Sequence, residues 1–232
     1  MERLSQHGVH VVVSDIDESG MALAKSVGGT FFKADLAQSA DVITLARKAL
    51  SMTGCVDILV NNAGTQHVAP IEDFPESTWA KMVQIMMIAP FQLTKHLLPA
   101  MKAQGWGRII NIASVHGLVA SPYKSAYVAA KHGLVGLTKT VALETGSFGV
   151  TANAICPAYV RTGLVESQIA DQAKILDISE DRVVDDVMLG PAAIKRLIEP
   201  SEIAEMVNFL ISDAASSVTG TATTMDLGWT AR

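Results

Sequence analysis

Short runs of β-branched and other apolar residues alternate along the chain with longer segments in which apolar positions recur at helical spacing. The short runs predict β-strands at 9–14, 29–33, 57–61, 107–112, 150–155 and 221–225. The longer segments predict α-helices at 18–27, 39–53, 75–103, 124–146, 164–175, 180–195 and 200–212. This alternation is typical of a doubly wound parallel sheet with helices on both faces, so we predict an α/β fold.

The helix predicted at 75–103 contains two prolines, Pro90 and Pro99. Proline lacks an amide hydrogen and its ring clashes with the preceding turn, so we predict an interruption near Pro90 or an end near Pro99. The long stretch before the last strand is helical and polar. Within it, we predict that residues 162–200 form a mobile substrate lid over the strand ends.

Composition and charge restrict the class of protein. The 232 residues are 49% hydrophobic, which suffices for one sizeable core, so we predict a single domain over 1–232. The formal net charge is −5 and the basic residues are scattered, which argues against nucleic-acid and membrane partners. No apolar stretch approaches the roughly 18 residues of a membrane span, and the first residues lack a signal-peptide core, so we expect a cytoplasmic protein.

The two cysteines, Cys55 and Cys156, lie far apart in the sequence and outside any Cys/His ligand spacing. A disulfide or a zinc site is therefore a weaker interpretation than two buried, reduced thiols. We predict no metal site.

Asp15 directly follows the strand predicted at 9–14. In a dinucleotide-binding, Rossmann-like fold, an acidic residue in this setting takes the ribose hydroxyls, although an acidic turn residue is the alternative. The residues before Asp15 contain no apolar strand followed by a glycine-rich turn, and residues 1–7 resemble the last turns of a helix. We therefore expect a domain that lacks the first strand and the glycine-rich loop whose amides bind the pyrophosphate.

Tyr127 and Lys131 are spaced i, i+4 in a segment of helical period, so their side chains can share one helix face. Ser114 closes the strand predicted at 107–112, at the edge where ligands gather in parallel sheets. A tyrosine with a pKa of about 10 is a poor base near neutrality, and a neighbouring ammonium lowers that pKa. Taken alone, this Tyr/Lys pair also fits a surface tyrosine beside an exposed lysine.

The sequence carries four motifs together: Asn61-Asn62-Ala63-Gly64, Ser114, Tyr127-x-x-x-Lys131 and the stretch from Pro157 to Thr162. In these motifs the chain resembles the short-chain dehydrogenase/reductase family along its whole length. The resemblance implies hydride transfer between a nicotinamide and a carbinol carbon, with Tyr127 as general acid/base and Ser114 holding the substrate oxygen. It also implies that Lys131 lowers the pKa of Tyr127 and binds the nicotinamide ribose, and that the protein is a homotetramer.

The same resemblance implies a set of cofactor-binding residues: Asp15, Asp35, Leu36, Asn62, Ala63, Gly64, Tyr127, Lys131, Pro157, Val160 and Thr162. The alternatives are that Asp35 and Thr162 are helix N-caps and that the Asn-Asn-Ala-Gly run is a turn. Asp15 favours NAD over NADP, because a carboxylate accepts from a free 2′-hydroxyl and repels a 2′-phosphate.

The stretch 111–127, taken with Gln66, resembles the 3-hydroxybutyrate dehydrogenase group of this family. That resemblance implies a small 3-hydroxy-acid substrate, 3-hydroxybutyrate or acetoacetate, whose carboxylate is bound by Gln66, His116, Lys124 and Gln168 near Ser114 and Tyr127. One cation with several donors suits a carboxylate. Alternatively, Lys124 is a solvated charge, His116 a loop residue and the two glutamines surface amides.

Four positions depart from the common family pattern: Met86 stands for an asparagine that anchors a water, Ala158 and Leu227 for glycines, and Gly163 for a proline. We expect strain at Ala158 if its turn needs a positive φ, and a looser entry to the lid at Gly163. Two other functions stay open, a dehydrogenase of another small alcohol and a non-catalytic oligomeric homologue with impaired cofactor binding.

Overall fold

The computed structural model describes residues 1–231, so Arg232, the last residue of the predicted 1–232 domain, lies outside the described residues. The strands are β1 (Val12–Asp15), β2 (Thr30–Lys33), β3 (Ile58–Asn61), β4 (Gly107–Ile112), β5 (Val150–Pro157) and β6 (Ala222–Met225). The helices are α1 (Glu2–Gln6), α2 (Gly20–Ser26), α3 (Ser39–Thr53), α4 (Glu76–Val83), α5 (Ala89–Gln104), α6 (Ser125–Thr145), α7 (Gly163–Leu176), α8 (Glu180–Arg182) and α9 (Pro200–Ile211). Each predicted strand is present, and residues 1–7 contain a helix as expected.

The strands pair in parallel, as predicted, but they form two sheets in the described chain rather than one. β1 pairs with β2, and the larger sheet has the order β3-β4-β5-β6. β5 is buried at all of its positions, because its small and apolar side chains lie under helices on both faces. The carboxyl ends of β3, β4 and β5 therefore meet at one edge of the larger sheet.

Helices cover both faces of the larger sheet, which confirms the predicted fold class. Side chains alternate along a strand, and Ile109 and Ile110 of β4 accordingly belong to different core clusters. Ile109 packs with residues of α3, α5 and α6, whereas Ile110 packs with Val207 and Leu210 of α9. These two layers hold the strand ends in place for the site.

The helix predicted at 75–103 is interrupted by a π-helical segment, Gln84–Ile88, and α5 resumes with Pro90 in its first turn. The predicted interruption near Pro90 is therefore confirmed. The alternative end near Pro99 is wrong, because α5 continues through this proline to Gln104. Buried Leu97 and Met101 flank Pro99, and their packing offsets the lost backbone hydrogen bond.

The predicted lid contains α7, α8 and a second π-helical segment, Val183–Met188. The helix expected at 180–195 therefore ends early. Gly190 and Pro191 follow the end, and proline cannot continue a helix. A Cβ at Gly190 would lie 2.0 Å from the Asp186 carbonyl oxygen, so only glycine fits there. Tyr159, Val165, Val183 and Met188 form a core cluster that attaches the segment to the end of β5, with Trp229 packed against it. Motion of this lid stays a prediction.

Candidate active site

Ser114 and Tyr127 come from two different elements and meet at the carboxyl end of β4. Ser114 follows β4, where its Oγ donates to the Pro157 carbonyl at 3.5 Å and accepts from the His116 amide at 3.1 Å. Tyr127 lies in the first turn of α6, and its hydroxyl interacts with the Ser114 side chain. Both residues line the same cavity, so the hydroxyl pair faces one shared space.

Lys131 lies one turn further along α6 and is buried. Its Nζ donates to the Ile112 carbonyl at 2.6 Å and lies 5.6 Å from the centre of the Tyr127 ring. Burial lowers the pKa of Lys131 to about 8, and the neighbouring Cys156 thiol acts in the opposite direction. The surface interpretation of this Tyr/Lys pair is therefore wrong.

The expected lowering of the Tyr127 pKa is not met. Burial raises the pKa of Tyr127, and the hydrogen bond with Ser114 opposes this rise only in part. The phenol is shielded from water because Met82 of α4 and Met86 of the following π-helical segment pack in the same cluster. Loss of water raises the pKa, since it disfavours the charged phenolate. Tyr127 is consequently protonated at neutral pH in the protein alone.

A small cavity of about 50 Å³ adjoins this pair. It is lined by Gln66, Ser114, Val115, His116, Lys124, Tyr127, Ala158, Tyr159, Leu164, Val165 and Gln168. The structure thus brings together all residues that the sequence placed around the substrate. Lys124 is only 3% exposed and Gln168 is also buried, so the interpretations of Lys124 as a solvated charge and of Gln168 as a surface amide are wrong. His116 is buried as well, although it lies in the short turn Val115–Gly117 between β4 and α6, as a loop residue would. Gln66 is half-buried, and its Oε1 accepts from the His67 amide.

Two basic side chains of this cavity have very different charge states. Burial lowers the pKa of Lys124 to about 8, so its ammonium persists at neutral pH. Burial also lowers the pKa of His116 to about 3, with a smaller contribution from the charge of Lys124. The His116 ring is therefore neutral, and its Nε2 lies 2.6 Å from the Ser121 hydroxyl. The cavity accordingly offers one cation among neutral hydrogen-bonding groups.

The residues predicted to hold the adenosine half of a cofactor lie on β1 and β2. Asp15 is exposed at the carboxyl end of β1, and its Oδ1 accepts from the Asp17 amide at 3.0 Å. Asp35 accepts from the Ala37 amide at 2.9 Å in a turn, so its interpretation as a helix cap is wrong, and Gln38 caps α3 by position. Leu36 packs against the core while its carbonyl accepts from Gln84 Nε2.

The residues predicted for the nicotinamide half lie at the ends of β3 and β5. Asn62, Ala63 and Gly64 are exposed directly after β3. Pro157 ends β5, and beyond it Val160 forms a parallel bridge with Ile198. Thr162 occupies the N-cap position of α7 but makes no side-chain cap, and its Oγ1 donates to the Val160 carbonyl.

These positions fit a nicotinamide dinucleotide in chemical terms. The Asp15 carboxylate is an exposed acceptor for ribose hydroxyls, and the backbone after β3 is open to a ligand. The Lys131 ammonium has three N–H donors, and its described hydrogen bond, to Ile112, uses one of them. All three features lie near the carboxyl ends of parallel strands. Asp15 ends β1, the open backbone follows β3, and Lys131 lies beside the end of β4.

Comparison with known proteins agrees with this geometry. A family model described as enoyl-(acyl carrier protein) reductase matches residues 1–230. A relative from Rhizobium meliloti (strain 1021), D-beta-hydroxybutyrate dehydrogenase, is 49% identical over 199 residues, covering 86% of this chain and 77% of its own. The chain belongs to the short-chain dehydrogenase/reductase family. It is accordingly an oxidoreductase of a family that binds nicotinamide cofactors.

Two further proteins match over nearly the whole chain. A D-beta-hydroxybutyrate dehydrogenase from Cupriavidus necator is 43% identical over 235 residues, covering 99% of this chain and 91% of its own. The crystal structure of an actinorhodin polyketide ketoreductase variant with NADPH has a TM-score of 0.91 and 32% identity, covering 98% of this chain and 90% of that one.

The departures from the short-chain dehydrogenase pattern have different structural outcomes. Met86 is fully buried in the π-helical segment, so it acts as core packing. Ala158 is not among the described non-glycine residues of positive φ, and the strain expected there is absent. Leu227 does have a φ of 57°, which costs about 1 kcal/mol in a residue with a Cβ. Gly163 is the first residue of α7, and a looser entry to the lid there stays a prediction.

Three residues around this cavity have no role in the sequence-based predictions. Tyr159 lies on the cavity wall, and Trp229 packs beside it in a tilted arrangement and against His116 edge-on. Gln172 of α7 approaches the Tyr159 hydroxyl. Tyr159 belongs to the motif that begins at Pro157, so the sequence already indicated that it lies near the site. Trp229 and Gln172 are far from the motifs in sequence, and only packing reveals them.

Proposed function

We propose that this protein is an NAD-dependent dehydrogenase that interconverts D-3-hydroxybutyrate and acetoacetate. The observation that carries the proposal is a single small cavity that joins the Ser114 and Tyr127 hydroxyls to the buried Lys124 ammonium. The D enantiomer is proposed because two relatives carry the name D-beta-hydroxybutyrate dehydrogenase. The cavity volume of about 50 Å³ also favours a substrate of few carbon atoms over a long acyl chain.

The cavity wall suits the carboxylate of such a substrate. Lys124 supplies the balancing charge, and burial strengthens its attraction for an anion. His116 is neutral, and if Nε2 accepts from Ser121, Nδ1 carries a proton that it can donate. The side-chain amides of Gln66 and Gln168 add two more donors on the same wall.

The reacting end is served by Ser114 and Tyr127. Oxidation removes a hydride from the carbinol carbon and a proton from its hydroxyl, and a bound nicotinamide dinucleotide supplies the hydride acceptor or donor. Ser114 holds the substrate oxygen, and Tyr127 exchanges the proton with that oxygen. Because burial raises the pKa of Tyr127, its neutral form is ready to protonate acetoacetate, while Lys131 stabilises the phenolate that results.

We assign the cofactor to the residues at the other strand ends. Asp15 would accept from the ribose hydroxyls, and its charge opposes the 2′-phosphate of NADP, which supports NAD. Asp35 and Leu36 would meet the adenine. The nicotinamide half would be held by Asn62, Ala63, Gly64, Lys131, Pro157, Val160 and Thr162.

The protein is also proposed to be a cytoplasmic homotetramer. Leu143 on α6 is 89% exposed and Phe91 on α5 is exposed as well, which supports burial of these helices between subunits. Within residues 1–231, the structure contains no helix that is both long enough and apolar enough to cross a bilayer.

Turnover assays test the proposed function directly. NADH formation is followed by absorbance with each enantiomer of 3-hydroxybutyrate, and NADH consumption with acetoacetate and with the neutral 4-hydroxy-2-butanone. We expect Lys124→Ala to raise the KM for acetoacetate at least tenfold while leaving the neutral ketone unaffected, because only the acid uses the ammonium. The exposed Lys81→Ala is the matched control.

The outcomes of these assays separate the three functions. Absence of turnover by a folded sample that binds NADH would reject the 3-hydroxybutyrate proposal. Better turnover of neutral alcohols than of hydroxy acids would favour a dehydrogenase of another small alcohol. Failure to bind NADH, measured by fluorescence titration, would favour the non-catalytic homologue.

A further inference from the structure

The Lys124 ammonium is held by an uncharged partner. Its Nζ donates to the Tyr159 hydroxyl oxygen at 2.8 Å and lies 5.1 Å from the centre of the Tyr159 ring. A lysine buried to this extent usually has a carboxylate partner, because an unpaired buried charge is costly. Here the cavity stays positive, since a phenol contributes a lone pair and the negative face of its ring but no charge.

Tyr159 is itself fixed from several sides. Its ring lies 5.8 Å from the Trp229 ring and 6.5 Å from the His116 ring, and it belongs to the core cluster beneath the predicted lid. The Gln172 side chain approaches the Tyr159 hydroxyl, although Gln172 Nε2 is buried without a well-formed hydrogen bond. The Tyr159 oxygen therefore has a fixed position, and both the Gln172 amide and the Lys124 ammonium lie close to it.

A rigid acceptor matters for a flexible lysine. The side chain of lysine has several rotatable bonds, and ordering it on binding costs up to about 2 kcal/mol. One N–H of Lys124 is used by Tyr159, which leaves two to meet a carboxylate in a defined direction. The preorganised ammonium then binds an anion without first being ordered.

We propose that Tyr159 is a positioning residue whose hydroxyl fixes the Lys124 ammonium in the cavity and so determines selectivity for a substrate carboxylate. This inference rests on the proposed function, because it concerns the cation that binds the acid group. Tyr159 acts through Lys124 and takes no part in the hydride or proton transfer. The hydrogen bond also favours the charged form of Lys124, because an ammonium donates to the Tyr159 oxygen more strongly than a neutral amine does.

Titration of Lys124 tests the inference without any activity measurement. The titratable groups that face Lys124 are His116, Tyr127 and Tyr159, and none of them carries a charge at neutral pH. The full chain is labelled with carbon-13 at lysine Cε, and the Lys124 signal is assigned by its loss in Lys124→Ala. In Tyr159→Phe we expect the pKa of Lys124 to fall below that of the unchanged protein, because the acceptor is removed and burial is kept. The exposed Tyr123→Phe is the matched control and should leave the titration in place.

Kinetics supply the second measurement. Tyr159→Phe should raise the KM for acetoacetate on the order of tenfold with kcat changed less than about twofold, and the KM for 4-hydroxy-2-butanone should not change. KM does not depend on the amount of folded protein, so partial unfolding of the variant does not imitate this result. An unchanged Lys124 titration in Tyr159→Phe, or a fall in kcat at constant KM, overturns the inference. If the unchanged protein fails to turn over either acid, the proposed function is rejected, while the Lys124 titration still decides the role of Tyr159.

Discussion

The side chain of Asn111 on β4 donates a hydrogen bond of 2.8 Å to the Thr138 hydroxyl on α6, where both groups are buried. Asn61 on β3 in turn donates to Asn111 Oδ1 at 2.8 Å. This network ties the strand that leads to Ser114 to the helix that carries Tyr127 and Lys131. The elements that carry the Ser114 and Tyr127 hydroxyls are thus joined by polar contacts deep in the core, several turns away from the cavity.

We expect Thr138→Val to lower the free energy of unfolding by about 1–3 kcal/mol, because the Asn111 amide is left buried without a partner. Urea-induced unfolding measures this change. Thr140→Val is the matched control, since Thr140 is exposed on the same helix and its hydroxyl donates only to its own helix backbone at Gly136. Equal destabilisation by the two variants would contradict the role of the network.

Tyr127→Phe should lower kcat by about 10²–10⁴ in both directions, because the proton exchange with the substrate oxygen is lost. Affinity for NADH, measured by fluorescence titration, should stay within about twofold of the unchanged protein. Tyr123→Phe changes an exposed tyrosine shortly before α6 and should leave kcat as it is. A Tyr127→Phe enzyme of normal kcat would remove Tyr127 from the chemistry.

The binding of the acid should depend on pH through Lys124. A carboxylate with an ordinary pKa of about 4 stays ionised from pH 6 to pH 10, so only the cavity titrates in this range. Burial lowers the pKa of Lys124 to about 8, and the ammonium is lost as pH rises through that value. The KM for acetoacetate should therefore rise above about pH 8, relative to that for 4-hydroxy-2-butanone measured in parallel.

The same profile should lack a step near pH 6.5. Burial lowers the pKa of His116 to about 3, so its ring remains neutral throughout the measured range. An inflection of the acid KM near the ordinary histidine pKa would show that His116 is charged in the working enzyme and would contradict the proposed neutral donor.

Asp15→Ser should shift cofactor preference toward NADP. Removal of the exposed carboxylate relieves repulsion of the 2′-phosphate, so we expect the ratio of kcat/KM for NADP to that for NAD to rise at least tenfold. Glu18→Gln is the control, since this nearby carboxylate pairs with Lys33 and lies three residues beyond the end of β1. An equal ratio in the Asp15 variant and the unchanged protein would argue that Asp15 is a turn residue only.

Local pattern predicted most of the elements. The helix expected at 39–53 is observed as Ser39–Thr53, because its apolar period and its closing Gly54, at a φ of 77°, are both local signals. The helix expected at 180–195 ends early, before Gly190 and Pro191, because apolar period alone does not take account of a proline that cannot continue a helix. The split into two sheets likewise depends on which strands come together, and local period carries no such information.

The sequence by itself determined the candidate residues of the site. Motif and spacing indicate Ser114, Tyr127 and Lys131, and the family resemblance implies Lys124, His116 and the two glutamines. The structure brings the predicted substrate wall into one cavity. Only the tertiary structure decided how these groups behave. Burial leaves His116 neutral and raises the pKa of Tyr127. The fold also brings the Lys124 ammonium within hydrogen-bonding distance of the Tyr159 hydroxyl. The physical reason is that the free energy of a charge depends on the water and dipoles around it, and distant segments such as α7 and the chain near Trp229 exclude that water.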